Sequence, residues 1–258
     1  MVSGVVVAVI IGAANRDPEP ADGSDTTAVA TEQPATEQTM EPPTSVPAGT
    51  PPAPVAAVDD IGTHRLNGHD GMTVALTFDD GPHPEHTEQV LAVLRDKDVT
   101  ATFCLVGAQV DSYPELAEAI VRDGHVVCNH TVSHDMSLRY KRADVIDAEL
   151  DDTQAAILRA APEAEIRYFR APGGYFAENL NRAASDRGLT PLGWSVESND
   201  WRKPGAGAIR DTVLSEAHPE AVVLLHDGGG DRSQTVAALP EIIDGLADLG
   251  YTFVVPAT

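Results

Sequence analysis

TVALTFDDGP, Thr73 to Pro82, decides how the rest of the chain is read. An apolar run from Thr73 to Phe78 stops abruptly at two adjacent carboxylates, Asp79 and Asp80, and a Gly-Pro turn follows. A short run bounded in this way reads as a strand with polar groups gathered just past its end. Further strands are predicted at Ala101 to Val106, His125 to Asn129, Tyr168 to Arg170, Leu192 to Val196, Val222 to Leu225 and Thr252 to Val255. Between them, Thr87 to Asp96, Pro114 to Asp123, Ala143 to Ala160, Phe176 to Arg187, Ala208 to Ala217 and Thr235 to Leu249 carry apolar residues three or four apart, the helical period. Alternation of this kind predicts repeated βα units and a parallel sheet, closed as a barrel or left open.

Upstream the composition changes. Residues 1–14 form an apolar segment of the signal or anchor type, too short for a spanning helix, which needs about 20 residues. Residues 15–60 are rich in Pro, Thr, Ala and Glu, with TEQPATEQ as a small repeat, and hold too little apolar surface to fold. They read as a linker, with residues 61–258 as the catalytic domain. Export is expected, either by secretion or by attachment to the cell envelope through the N-terminus. The formal net charge of -23 excludes nucleic acid as a partner, since that needs basic patches. The two cysteines, Cys104 and Cys128, form no disulfide framework and no metal-binding CxxC pair, and a single bridge and two buried thiols both remain open.

Polar clusters follow the strands. In TFDDGP, neighbouring acids point different ways, so one can bind a metal while the other acts as a base. In HTVSH, His130 and His134 are four apart and on a helical turn would share one face; two imidazoles and a carboxylate make a three-ligand site with an open position. His83, His86 and His226 compete for that role. RAPGGY offers Arg170, which can hold a carboxylate ionised, and backbone N–H groups at Gly173 and Gly174 suited to an oxyanion. ESNDW brings Trp201, poised either to stack on a sugar ring or to pack in the core, and LLHDGGG brings His226, either a buried structural histidine or a general acid. Any one of these clusters alone is an ordinary turn or core feature. Their shared position past strand ends, the face on which βα barrels build active sites, argues for one site.

In that order, TFDDGP, HTVSH, RAPGG, NDW and LLH resemble the NodB-type polysaccharide deacetylases, the fourth family of carbohydrate esterases, over roughly Thr73 to Val255. The resemblance implies a distorted (β/α) barrel of about seven parallel strands and one divalent metal, commonly zinc, with cobalt, manganese or nickel as alternatives. Asp80, His130 and His134 would be its ligands and Asp79 the base on the attacking water. Arg170 would hold Asp79 with support from Asp200. His226 would be the general acid and the Gly173 N–H an oxyanion donor, with Tyr175, Trp201 and Leu224 beside them on the substrate side. A monomer that removes N-acetyl groups from a GlcNAc-containing polymer, peptidoglycan or chitin-type, is the expected protein. An acetylxylan esterase of the same family, a catalytically silent wall-glycan-binding protein, and an unrelated barrel hydrolase acting on small amides are the alternatives.

Overall fold

All residues of β1 (Thr73–Asp79) are buried, so this strand needs partners on both edges. It pairs in parallel with β2 (Thr102–Leu105) on one side and β7 (Ala221–His226) on the other, and β8 (Thr252–Phe253) pairs with its first two residues. This is the arrangement in a computed structural model of the chain, which describes residues 71–256. The apolar segment 1–14, the linker 15–60 and the first residues of the expected catalytic domain lie outside the described residues. Beyond β2 come β3 (Val126–Asn129), β4 (Ile166–Phe169) and β5 (Thr190–Pro191), and β6 (Val196–Glu197) lies beyond β7; every pairing is parallel.

Of the expected strand Leu192 to Val196 only Val196 lies in a strand, as the first residue of β6, while β5 forms just before the expected range. β5 pairs with β4 and β6 with β7, at opposite edges of the sheet, and Leu192 to Ser195 carry the chain across. On the way Leu192 N–H donates to the Phe169 carbonyl (2.8 Å) and Ser195 N–H to that of Val222 (3.0 Å), so the crossing is tied to β4 at one end and to β7 at the other. β5 and β6 stand at opposite ends of the strand order, so the residues between them must leave one edge to reach the other, which is the physical reason that no strand runs through Leu192 to Ser195.

The six expected helices appear, each within two residues of its expected bounds: α1 (His86–Lys97), α3 (Pro114–Arg122), α4 (Ala143–Ala160), α5 (Glu178–Ser185), α6 (Ala206–Glu216) and α7 (Ser233–Asp248). A further helix, α2 (Gly107–Ser112), was not legible, because its six residues are too few to show a period. Among the described residues no helix is long and apolar enough to cross a membrane.

Alternation along the strands sorts side chains into two sets. Val74, Leu76 and Phe78 of β1, with Phe103, Leu105, Val223 and Leu225, face the helices and pack with Leu91 and Leu94 of α1 and Leu239 and Ile242 of α7. Each such side chain contributes about 1.5–3 kcal/mol on burial. The opposite set, Ala75, Cys104, Cys128, Tyr168, Leu192 and Val222, fills the barrel interior. Cys104 and Cys128 are register partners on β2 and β3 and are joined by a disulfide. Continued by one and two periods toward the strand ends, this inner set becomes Thr77 and Asp79 on β1, Leu224 and His226 on β7, and Arg170 just past β4. The pattern that fills the barrel also brings polar groups to its mouth.

Candidate active site and metal centre

Asp79, the last residue of β1, is 4 % exposed, and its Oδ1 accepts from Arg170 Nη1 at 2.7 Å. Arg170 is fully buried, and every arm of its guanidinium is engaged: Nη1 also donates to Thr77 Oγ1 (2.9 Å), Nε to the Leu192 carbonyl (3.0 Å) and Nη2 to that of Gly193 (3.1 Å). The crossing segment thus supplies two carbonyls that aim this arginine. Trp194 covers it, with its ring 5.5 Å from the guanidinium carbon.

Asp80 turns the opposite way because its φ is +72°, in the left-handed region. Its Oδ1 lies 3.4 Å from His130 Nε2 and 3.3 Å from His134 Nε2. One donor atom from each of these three residues falls within 4.8 Å of the others. Asp80 Oδ1 is buried and has no hydrogen-bond partner. An orphaned buried carboxylate oxygen facing two imidazole nitrogens suits a divalent cation. His130 Nδ1 is 2.8 Å from the Arg170 carbonyl; an N–H donated there leaves the Nε2 lone pair free for a metal. Burial pushes the Asp80 carboxyl up, but His130, and behind it His134 and His226, outweigh this and hold it well below the usual carboxylate range. His134 lies below its ordinary value, first through burial and then through the nearby His130, which favours the neutral imidazole that ligation requires. His83 and His86 stay outside this group; they stack on each other at 4.6 Å, and His83 Nδ1 accepts the backbone N–H groups of Glu85 and His86.

HTVSH does not form the helical turn expected of it. Thr131 (φ +66°) and His134 (φ +52°) both take left-handed backbone, and the rings come to 4.8 Å through a loop. That loop is tied from below: Asn129 Oδ1 accepts from Thr131 N–H (2.9 Å), while Glu149 of α4 accepts from Ser133 N–H (2.9 Å) and Ser133 Oγ (2.6 Å).

Asp200 takes a place different from the one expected. None of its bonds goes to Arg170; Oδ1 lies 2.7 Å from His226 Nδ1, and Oδ2 accepts from His226 N–H (2.8 Å) and Thr235 Oγ1 (2.8 Å). The reason is register, since β6 pairs with β7, so the turn after β6 falls beside His226 on the far side of β1 from Arg170. Burial draws the His226 pKa down, yet the Asp200 carboxylate, helped by Asp79 and Asp80, raises it above the ordinary histidine value. Asp200 itself is held low, its burial outweighed by the bond to His226.

Gly173 is exposed at φ +61°. The N–H groups of Gly174 and Tyr175 are spent on the Ala171 and Pro172 carbonyls (2.9 and 3.2 Å), and no partner for the Gly173 N–H is found among the described residues. Tyr175 is half-buried beside it. Trp201 is 45 % exposed, which excludes the core-packing alternative, and its Nε1 donates to Glu197 Oε1 (3.1 Å). Leu224 is 4 % exposed, and its carbonyl accepts from Ser198 Oγ (2.7 Å).

Three further residues support the site and were not singled out from sequence. Thr235 lies within α7 with no motif around it. Thr77 is an unremarkable strand residue. Asp227 follows His226 and is fully buried; burial pushes its carboxyl up to about 7, and Thr87 Oγ1 donates to its Oδ2 at 2.5 Å. It packs beneath the Asp80 turn, where a Cβ on Gly81 would lie 2.3 Å from Asp227 Oδ2. Beside it, a Cβ on Gly228 would lie 2.1 Å from the Asp80 carbonyl oxygen, so glycines permit this approach of the two loops.

Residues 67–192 match the family described as polysaccharide deacetylase. A chitooligosaccharide deacetylase of Sinorhizobium fredii is 38 % identical over 204 residues, 75 % of this chain and 94 % of that protein. A peptidoglycan-N-acetylglucosamine deacetylase of Bacillus cereus is 37 % identical over 183 residues, 70 % of this chain and 84 % of that protein. Among solved structures, a pseudoenzyme of carbohydrate esterase family four from Bacillus anthracis superposes with a TM-score of 0.68 at 28 % identity, covering 79 % of this chain and 68 % of that one.

Proposed function

The chain belongs to the polysaccharide deacetylase family, and from that premise we propose that it is a metal-dependent N-deacetylase, which hydrolyses acetamide groups on a GlcNAc-containing polymer and releases acetate. The observation that carries this reading is the convergence at one barrel mouth of the Asp79–Arg170 pair, the Asp80–His130–His134 group and the Asp200–His226 pair. A pseudoenzyme shares the fold, so the fold alone decides nothing about activity.

Asp80, His130 and His134 would hold the ion, and a donor set of one carboxylate and two imidazoles that leaves a position open favours zinc. When bound, the ion supplies Lewis acidity that polarises the acetyl carbonyl and acidifies water. Asp79, oriented by Arg170, accepts a proton from the attacking water as its oxygen bonds to the carbonyl carbon. The Gly173 N–H points its dipole at the oxygen that gains charge. His226, whose protonated form the Asp200 carboxylate favours, donates to the amide nitrogen as the carbon–nitrogen bond breaks. The products are acetate and a free amino sugar.

Peptidoglycan is the polymer proposed, and the protein is placed outside the cytoplasm. The apolar N-terminal segment and the Pro-rich linker support that placement, as does the Cys104–Cys128 disulfide, a bond that persists in oxidising compartments. The test is acetate release from N-acetylglucosamine oligomers, peptidoglycan and acetylated xylan by wild type, chelated and metal-restored protein, and Asp79→Asn. Release that chelation stops, metal restores and Asp79→Asn lowers by about 10²-fold or more is the expected result. Release from xylan alone would favour the esterase, and metal binding without any release would favour a silent glycan-binding protein.

A further inference from the structure

We propose that Arg139, Tyr140 and Tyr175 form a second sugar-binding subsite, which holds the N-acetylhexosamine unit next to the one being deacetylated. This inference rests on the function proposed above. Tyr140, 76 % exposed, and Trp201 are the only aromatic residues among the described residues with largely exposed side chains, and both lie on loops at the barrel mouth. Tyr140 stands in the turn that follows the ligand His134, and Trp201 follows Asp200.

The arginines follow the same division. Among the described residues every arginine is spent on a carboxylate or a backbone carbonyl except Arg139 and Arg202, and each of these two lies over one of the exposed rings. Arg202 sits 4.6 Å from the Trp201 ring. Arg139 sits between two rings, 4.1 Å from Tyr175 and 4.7 Å from Tyr140, and Asn179 Nδ2 fixes its backbone by donating to the Arg139 carbonyl at 3.0 Å. Its five N–H donors have no acceptor among the described residues.

The stack is continuous with the reaction centre. A Cβ on Gly173 would lie 3.1 Å from Tyr175 Cε2 and 3.1 Å from Met136 Sδ, so the ledge starts at the proposed oxyanion donor and runs outward through Tyr175 and Arg139 to Tyr140. A pyranose presents an apolar C–H face and a rim of hydroxyl and acetamide oxygens. The first matches the Tyr140 ring and the second the idle guanidinium donors. Ordered stacking of a cation on an exposed ring is worth little in water, and it prepares both groups for a ligand that uses them together.

The experiment measures kcat/KM of the metal-loaded full chain on N-acetylglucosamine oligomers from dimer to hexamer. The reading is the ratio of hexamer to dimer. Tyr140→Ala and Arg139→Ala are each expected to lower that ratio about tenfold, through KM more than kcat, the size of one lost stacking contact. Tyr140→Trp is expected to restore it. Tyr140 is exposed, so these changes leave the core intact. An unchanged ratio, or an equal fall on every length, overturns the subsite while wild-type release keeps the function standing. A loss confined to peptide-bearing peptidoglycan also overturns it, in favour of a peptide site. No release by wild type from any oligomer or peptidoglycan overturns the function reading and the subsite with it.

Discussion

Replacing Arg170 by methionine removes a fully buried cation from between one carboxylate, one hydroxyl and two carbonyls while keeping most of its apolar stem. At 2.7 Å from Asp79 Oδ1, two unit charges in an effective dielectric of about 20 attract by about 6 kcal/mol, an upper bound on what is lost. Removing one partner of a buried pair costs about 3–5 kcal/mol, because the other charge stays behind without water or a counter-ion. Asp79 is 4 % exposed and would keep only a longer, partial compensation from the His130 imidazole, 3.6 Å from its Oδ2, so the lower half of that range applies. For a domain of this size each kcal/mol moves the melting temperature by roughly 2–4 °C, so Arg170→Met should melt about 10 °C below wild type. Calorimetry on chelated protein keeps metal binding out of the comparison. The double variant Arg170→Met/Asp79→Asn should recover part of the loss, since no charge is then left unpaired. A single variant that melts within about 2 °C of wild type, or a double variant no more stable than the single, would refute the argument that Arg170 compensates the buried Asp79 charge.

Activity should decline on the alkaline side as pH rises through the elevated His226 pKa, because the acid is then deprotonated; Asp200→Asn should move that limb to lower pH in pH–rate profiles, and an unmoved limb would separate Asp200 from the acid. Gly228→Ala would place a Cβ 2.1 Å from the Asp80 carbonyl oxygen, and shifting that ligand should weaken metal affinity about 10–100-fold in competition titrations. Cys104→Ala/Cys128→Ala removes a cross-link spanning 24 residues and should lower unfolding free energy in denaturant titrations by about 3 kcal/mol; a midpoint equal to that of oxidised wild type would show that the bridge contributes nothing.

The order of strands and helices could be read locally, because each long element repeats its own period. Ala143–Ala160 places Ile146, Leu150, Thr153 and Ile157 on one buried stripe, so its bounds were legible in full. α2 was not, having too few residues to repeat anything. The five polar clusters were legible as chemistry for a different reason: the carboxylate pair, HxxxH and Arg-Ala-Pro-Gly-Gly combine reactive groups with turn residues at the ends of apolar runs.

Hydrophobic period and residue chemistry are local properties, and they were enough to predict a parallel βα protein and to nominate its reacting groups. Which groups meet was decided by strand register, which is not local. Register put Asp200 on His226 with Thr235 behind it, left Arg170 to Asp79, and brought two carbonyls from the crossing segment to aim that arginine. It also set Cys104 opposite Cys128, deciding between a bridge and two thiols. The backbone decided the rest: positive φ at Asp80 and His134 points a carboxylate and an imidazole at one spot, and only the folded chain shows that they converge there.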